Sequence, residues 1–213
     1  MDLSSRLRTV PRRPIAVVLP LLAVLLSPPV HAAGKAPYLV VAKLRRKYID
    51  ANRPQQLALD SPEARPYYDY YHQSVRRFVG EIRRNYPAGL LIDVYGQNKN
   101  PDVIMRGTIN GRAVDHLLRQ AGVAAGGHSE DAGFNGGYTV FTYGSHNFSG
   151  IDAVQFEFGG RYRQKAVVDQ SARDAARAIA AFYEAYLRNP AALSRTASER
   201  RIGGADRGRS APY

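Results

Sequence analysis

The chain has 213 residues, with 30 Lys and Arg against 18 Asp and Glu, no cysteine, and a formal net charge of +12. Without cysteine, disulfide frameworks, thiolate metal sites and cysteine nucleophiles are excluded, so any metal must be held by His and carboxylates. The positive charge favours anionic partners, but the arginines are spread along the chain without a nucleic-acid-binding motif, which speaks against specific recognition of DNA or RNA.

The first 32 residues read as an export signal. Arg6, Arg8, Arg12 and Arg13 precede an apolar run from Ile15 to Leu26, followed by Pro28-Pro29 and the small-residue sequence "VHAA", which is the layout of a secretory leader. The apolar core, about a dozen residues, falls short of the roughly 20 that a membrane span needs. The expectation is therefore a secreted or periplasmic protein with no stable span after signal removal. Its charge is near +9 once those four arginines and Asp2 are lost. Residues 33–188 are then the domain, and 189–213 a basic tail with the composition of a disordered segment.

Along the domain, "PYLVVAKL" (Pro37 to Leu44) reads as a buried strand, and "KYIDANRP" as a short extended piece that must end in a loop at Pro54. From Arg65 to Tyr86 the residues Tyr67, Tyr71, Val75, Phe78, Val79, Ile82 and Tyr86 recur at three- and four-residue steps, one face of an amphipathic helix. The tyrosines of "YYDYYH" read as aromatic core packing with phenol oxygens at the rim. "LLIDVYGQ" (Leu90 to Gln97) is a buried strand opening into a tight turn, and "DVIMRGTINGR" an extended piece that turns at Asn110-Gly111. A short helix over 112–120 buries Val114, Leu117 and Leu118. Residues 122–137 form a loop of the length that tends to be functional or mobile. "YTVFTYG" and "DAVQFEFGG" read as two further strands, and a helix over 168–187 stops before Asn189-Pro190. Strands alternating with helices predict a layered α/β domain, a mostly buried mixed sheet flanked by helices.

Three predicted strand ends carry polar residues that burial alone does not explain: Asp50-Asn52-Arg53, Asp93-Tyr95-Gln97, and Glu157. Arg53 beside Asn52 offers a fork of donors suited to a substrate carboxylate. Glu157, between Phe156 and Phe158, would carry a raised pKa and serve as general base for water if turned into a cleft; turned outward, it is an ordinary surface or salt-bridged acid. His72 and His116 fall on predicted helices and His128 and His146 in loops, with no His-x-x-Glu or His-x-x-x-His pair to supply two ligands from one element. His128, Glu130 and Asp131 in "GGHSEDAG" are a candidate trio, weighed against a solvated loop.

Taken in order, "RRKYIDANRP", "LLIDVYGQ", "DVIMRGTINGR", "FNGGYTVFTYGSH" and "GIDAVQFEFGGRYR" resemble the N-formylglutamate amidohydrolase family, itself similar to the zinc carboxypeptidases and aspartoacylase. The similarity spans about Pro37 to Leu187. It implies a zinc carboxypeptidase-like fold with its N-terminal part missing, and a lineage of metal-dependent hydrolases that cleave amide bonds in small carboxylate substrates. By that resemblance Asn52 and Arg53 hold the substrate carboxylate, Glu157 activates zinc-bound water, and Tyr138 lies in a segment bordering the active site.

The departures from the family pattern concern the metal. The family holds zinc with a His and a Glu after an early strand and with a third His in "Asp-x-His"; Tyr95 occupies that third position here. The few residues between the expected cleavage site and Pro37 contain neither member of the upstream pair. No cofactor is therefore expected in this chain, although zinc serves its family, and metal-assisted hydrolysis loses its electrophile and its activated water together. The expectation is a secreted pseudoenzyme whose ligand is a small carboxylate or N-acylated amino acid. The alternative is a non-enzymatic periplasmic module for anionic ligands or envelope polymers.

Overall fold

The computed structural model describes residues 15–19, 37–43, 45–120 and 129–187. Five strands form one sheet: β1 Ile15–Leu19, β2 Tyr38–Val41, β3 Leu90–Gln97, β4 Ile104–Gly107 and β5 Asp152–Gly159, in the order β2-β1-β3-β5-β4. β2, β1, β3 and β5 run parallel, and β4 pairs antiparallel with β5 at the edge. The α/β class is as expected, and the sheet is mixed.

Among the described residues, four helices of six residues or more flank the sheet: α1 Arg65–Asn85, α2 Asp115–Gln120, α3 Tyr138–Tyr143 and α4 Val168–Phe182, the last continued by a wide turn over Tyr183–Leu187, and one short turn of helix lies at Gln55–Ala58. β3 is buried along almost its whole length, so both of its faces are covered, as near-continuous apolar strands require. Leu90, Ile92 and Val94, with Val154 and Phe158 of β5, pack against Ala172 and Ala176 of α4. The alternate residues Leu91 and Ala153 pack against Val75, Val79 and Ile82 of α1 and Val140 and Tyr143 of α3. Period-two alternation thus divides the sheet between two cores.

α1 begins with Pro66 in its first turn, where no intrahelical N–H is required, and ends at Tyr86, whose extended backbone precedes Pro87. Its buried face is Tyr68, Tyr71, His72, Val75, Val79 and Ile82. The sequence reading had put Tyr67 on that face, but Tyr67 is 63% exposed and Tyr68 lies inside. Near its start the face is shifted by one residue because Tyr68 sends its phenol hydroxyl to the carbonyl of Arg53 at 2.8 Å.

Two local expectations fail for reasons outside the local sequence. "YTVFTYG" is the helix α3, with Thr139, Val140 and Tyr143 buried at helical spacing; β-branched content favoured a strand, but a side chain 87 residues away captures its first turn. "KYIDANRP" is a chain of turns that carries one isolated bridge, from Ile49 to Leu59, and no strand of the sheet.

β1 lies inside the segment read as an export signal, and it fills the position next to β3 where a first strand had been expected to be missing. The two readings ask different things of Ile15–Leu19: a leader is removed, whereas this strand joins β2 to β3. The remainder of the leader, His128 and the 189–213 tail lie outside the described residues.

Candidate functional site

Parallel strands of an α/β sheet present their carboxyl ends, and the loops that follow them, at one edge, the usual address for ligands. Here β3 ends in Tyr95-Gly96-Gln97 and β5 in Glu157-Phe158-Gly159, with Tyr95 opposite Glu157 and Asp93 opposite Gln155 in register. These four side chains share the α1-facing side of the sheet.

Asp50, only 7% exposed, anchors the loop above them. Its carboxylate accepts the Nε–H of Arg46 at 2.8 Å and the backbone N–H of Asn52 at 3.2 Å, and forms an ion pair with Arg53, whose Nε lies 2.9 Å away. The guanidinium of Arg46 also lies over the Tyr95 ring, 5.5 Å from its centroid. A cation so held is attracted to the ring's electron-rich face.

Burial raises the pKa of half-buried Glu157; Arg46 and Arg163 oppose that rise and Asp50 adds to it. Deeper in the sheet, Asp93 has no exposure, and neither carboxyl oxygen makes a hydrogen bond within the described structure. Burial first, then the nearby Glu157 and Asp50, push its pKa well above the carboxylate range, so Asp93 keeps its proton. The Tyr95 phenol is likewise pushed well above its ordinary value by burial, then by Asp93, Tyr71 and Asp50.

Zinc, the metal implied by the family resemblance, does not fit the described donors. Among the described residues no three His, Asp or Glu side chains gather as a metal centre would need. Tyr95 holds its proton, and the Arg46 cation stands over the ring that replaces the expected imidazole. His72 is buried against α3, His116 is exposed on α2, and His146 packs near Phe141. Of the candidate trio, His128 lies outside the described residues, and Glu130 accepts the Thr108 N–H and hydroxyl and the Asn110 N–H, tying down the turn after β4.

Asn52 and Arg53 are together at the loop end, but much of their bonding capacity is spent internally. The Asn52 side-chain oxygen accepts the N–H of Thr139 at 3.0 Å, and a Cβ at Gly137 would fall 1.9 Å from Asn52 Nδ2. Glycine at 137 is what lets the α3 start sit against Asn52. Arg53 pairs with Asp50 while its side chain remains 56% exposed. Tyr138 turns toward His72, their ring centroids 5.6 Å apart, rather than joining the Arg46, Arg163 and Asp50 groups around Glu157.

Gln97 and Arg163 are structural clamps. Gln97 exchanges hydrogen bonds with the backbone of Asn100 at 2.6 and 2.8 Å. Arg163 donates to the carbonyls of Phe158 and Gln97 at 3.1 and 3.0 Å, across a Gly96 whose Cβ would meet Arg163 Nε at 2.6 Å. Sequence reasoning missed Arg46 altogether, although its spacing to Asp50 in "RRKYID" is the i,i+4 step at which opposite charges meet across one turn.

No protein-family model, curated protein or solved structure matches the chain.

Proposed function

We propose that this protein is a relative of the N-formylglutamate amidohydrolases that binds a small carboxylate, of the N-acylated amino acid kind, at the carboxyl ends of β3 and β5 without zinc-dependent hydrolysis. The observation that carries the reading is the pair of guanidinium groups, Arg46 and Arg53, held on the single buried carboxylate of Asp50 and each more than half exposed. One carboxylate fixes two cations and leaves a net positive pair for an incoming anion. Glu157 offers an acceptor for the amide N–H of such a ligand. Export to the periplasm or the exterior belongs to the same proposal.

The test is isothermal titration of the purified protein with N-formyl-L-glutamate, together with a formate-release assay and metal analysis. Saturable binding that weakens at least about tenfold in Arg53→Ala, the loss of a charge-assisted pair, with no formate released, is the expected result. Absence of binding, or chelator-sensitive release of formate with one zinc per chain, overturns it.

The second reading, a module for anionic envelope polymers, draws on the charge of +12. Several surface arginines already meet neighbouring acids, among them Arg65 with Asp69, Arg119 with Asp115 and Arg177 with Asp174, which weakens that reading. Binding that falls steeply with salt and survives Arg53→Ala would favour it.

A further inference from the structure

Away from Glu157, which is not among its lining residues, the first half of α1 and the helix α3, with Gln55 and Gln56, line an open cavity of about 280 Å³. Its wall includes Tyr68, Tyr138, Gln55, Gln73 and Arg76, with His72 at the back. We propose that this cavity binds one acidic sugar unit, a hydroxylated ring carrying a single carboxylate.

The back wall is rigid. The His72 ring is only 6% exposed, is bracketed by Ala51 O at 3.1 Å on Nε2 and by the Tyr143 hydroxyl at 3.0 Å on Nδ1, and packs 4.4 Å from the Tyr68 ring. Nε2 donates to the Ala51 carbonyl, and Nδ1 faces the Tyr143 hydroxyl, whose proton is shared with the His72 carbonyl at 3.1 Å, so both ring nitrogens are used. The imidazole is a wall of the cavity, and the ligand must be recognised by the groups in front of it.

Those groups define the ligand class. Gln73 presents a carboxamide with donor and acceptor on one planar group, and Gln55, whose amide donates to Asp69 at 3.1 Å, offers its carbonyl oxygen; a sugar hydroxyl, itself both donor and acceptor, can meet either. Tyr138, half-buried and edge-on to His72 at 77°, supplies an aromatic surface for the C–H face of a ring. Arg76 has no carboxylate partner among the described residues. A single guanidinium selects a single negative charge, because Asp69, nearby and already engaged by Gln55 at 3.1 Å and Arg65 at 3.4 Å, would repel a second. The volume, about 280 Å³, lies just below the usual ligand range of about 300–1,000 Å³, a size that suits a single ring.

The experiment is isothermal titration of the full chain with D-glucuronate and with D-glucose. Glucuronate is expected to bind saturably and glucose at least about tenfold more weakly, the worth of one charge-assisted contact. Arg76→Ala, a change on an exposed side chain that leaves the core untouched, should bring the two sugars to equal, weak binding. Tyr138→Ala should weaken both, while Arg53→Ala should leave both unchanged, which separates this cavity from the carboxylate cleft proposed above. No saturable heat with glucuronate, or heats indifferent to both Arg76→Ala and Tyr138→Ala, overturns the proposal.

Discussion

The side-chain oxygen of Asn52 accepts the backbone N–H of Thr139 across 87 residues of sequence, at 3.0 Å. This contact fastens the loop after β2, which carries Arg53, to the first turn of α3, which carries Tyr138.

Asn52→Ala should therefore destabilise the fold by about 1–2 kcal/mol, the cost of leaving a largely buried N–H without its acceptor. Asn52→Asp, which keeps the oxygen, should recover most of that loss. Urea denaturation of the three proteins reads the difference. A silent Asn52→Ala would free Asn52 for a purely ligand-binding role.

Asp93 gives the protein a pH dependence of definite sign. Its folded pKa stands well above the unfolded value, so its contribution is intact below about pH 4 and is lost as pH rises toward the folded pKa. Within that window the loss approaches about 1.4 kcal/mol per pH unit. Asp93→Asn, nearly isosteric and without a titrating proton, should remove that slope and be the more stable protein at pH 8. Urea midpoints measured from pH 5 to 8 check it; parallel curves for the two proteins would show that Asp93 is not held protonated.

His72 acts in the opposite direction. Burial, together with Arg76, lowers its pKa to about 4, against a weaker upward pull from the Ala51 carbonyl and Asp69. An imidazole depressed in the fold stabilises it above the unfolded pKa of about 6.5 and loses that contribution as pH falls toward 4. Allowing for partial solvent screening, roughly 2 kcal/mol should disappear between pH 7 and 4. His72→Gln should flatten this limb at some cost in overall stability. Its midpoints at pH 4.5 and 7 decide the matter.

Val17 lies inside β1, paired in register with Leu39 of β2 and Ile92 of β3. A proline there removes a ladder donor from an interior strand, a change worth about 3 kcal/mol or more. Val17→Pro should therefore lower the thermal midpoint of the chain that retains this segment. Mass spectrometry of the purified product accompanies the melt, because a chain trimmed before Pro37 would be indifferent to the substitution.

Some of this architecture was legible in the one-dimensional pattern. "LLIDVYGQ" and "DAVQFEFG" are strands because β-branched and aromatic residues buried on both sheet faces leave no helical stripe, and α1 is a helix because its apolar steps of three and four leave no alternative. The place of Pro66 in the first turn and the end of the helix ahead of Pro87 follow from the geometry of proline alone. Tyr95 and Glu157 could be named as strand-end residues for the same reason.

The site's electrostatics were not legible, because they depend on which strands become neighbours. Asp93 reads in sequence only as one of several polar residues near a strand end; its place in the covered centre of the sheet, beside Glu157 and Asp50, strips it of water and holds its proton. Likewise "YTVFTYG" has strand composition, yet Asn52 and the close approach allowed by Gly137 make it a helix. A run of apolar residues near the start reads as a leader by its local order, while the backbone of Ile15–Leu19 within it pairs on both sides as an interior strand. Local propensity is worth a few tenths of a kcal/mol per residue, and long-range packing and desolvation, worth several times that at each buried group, decide where the two disagree.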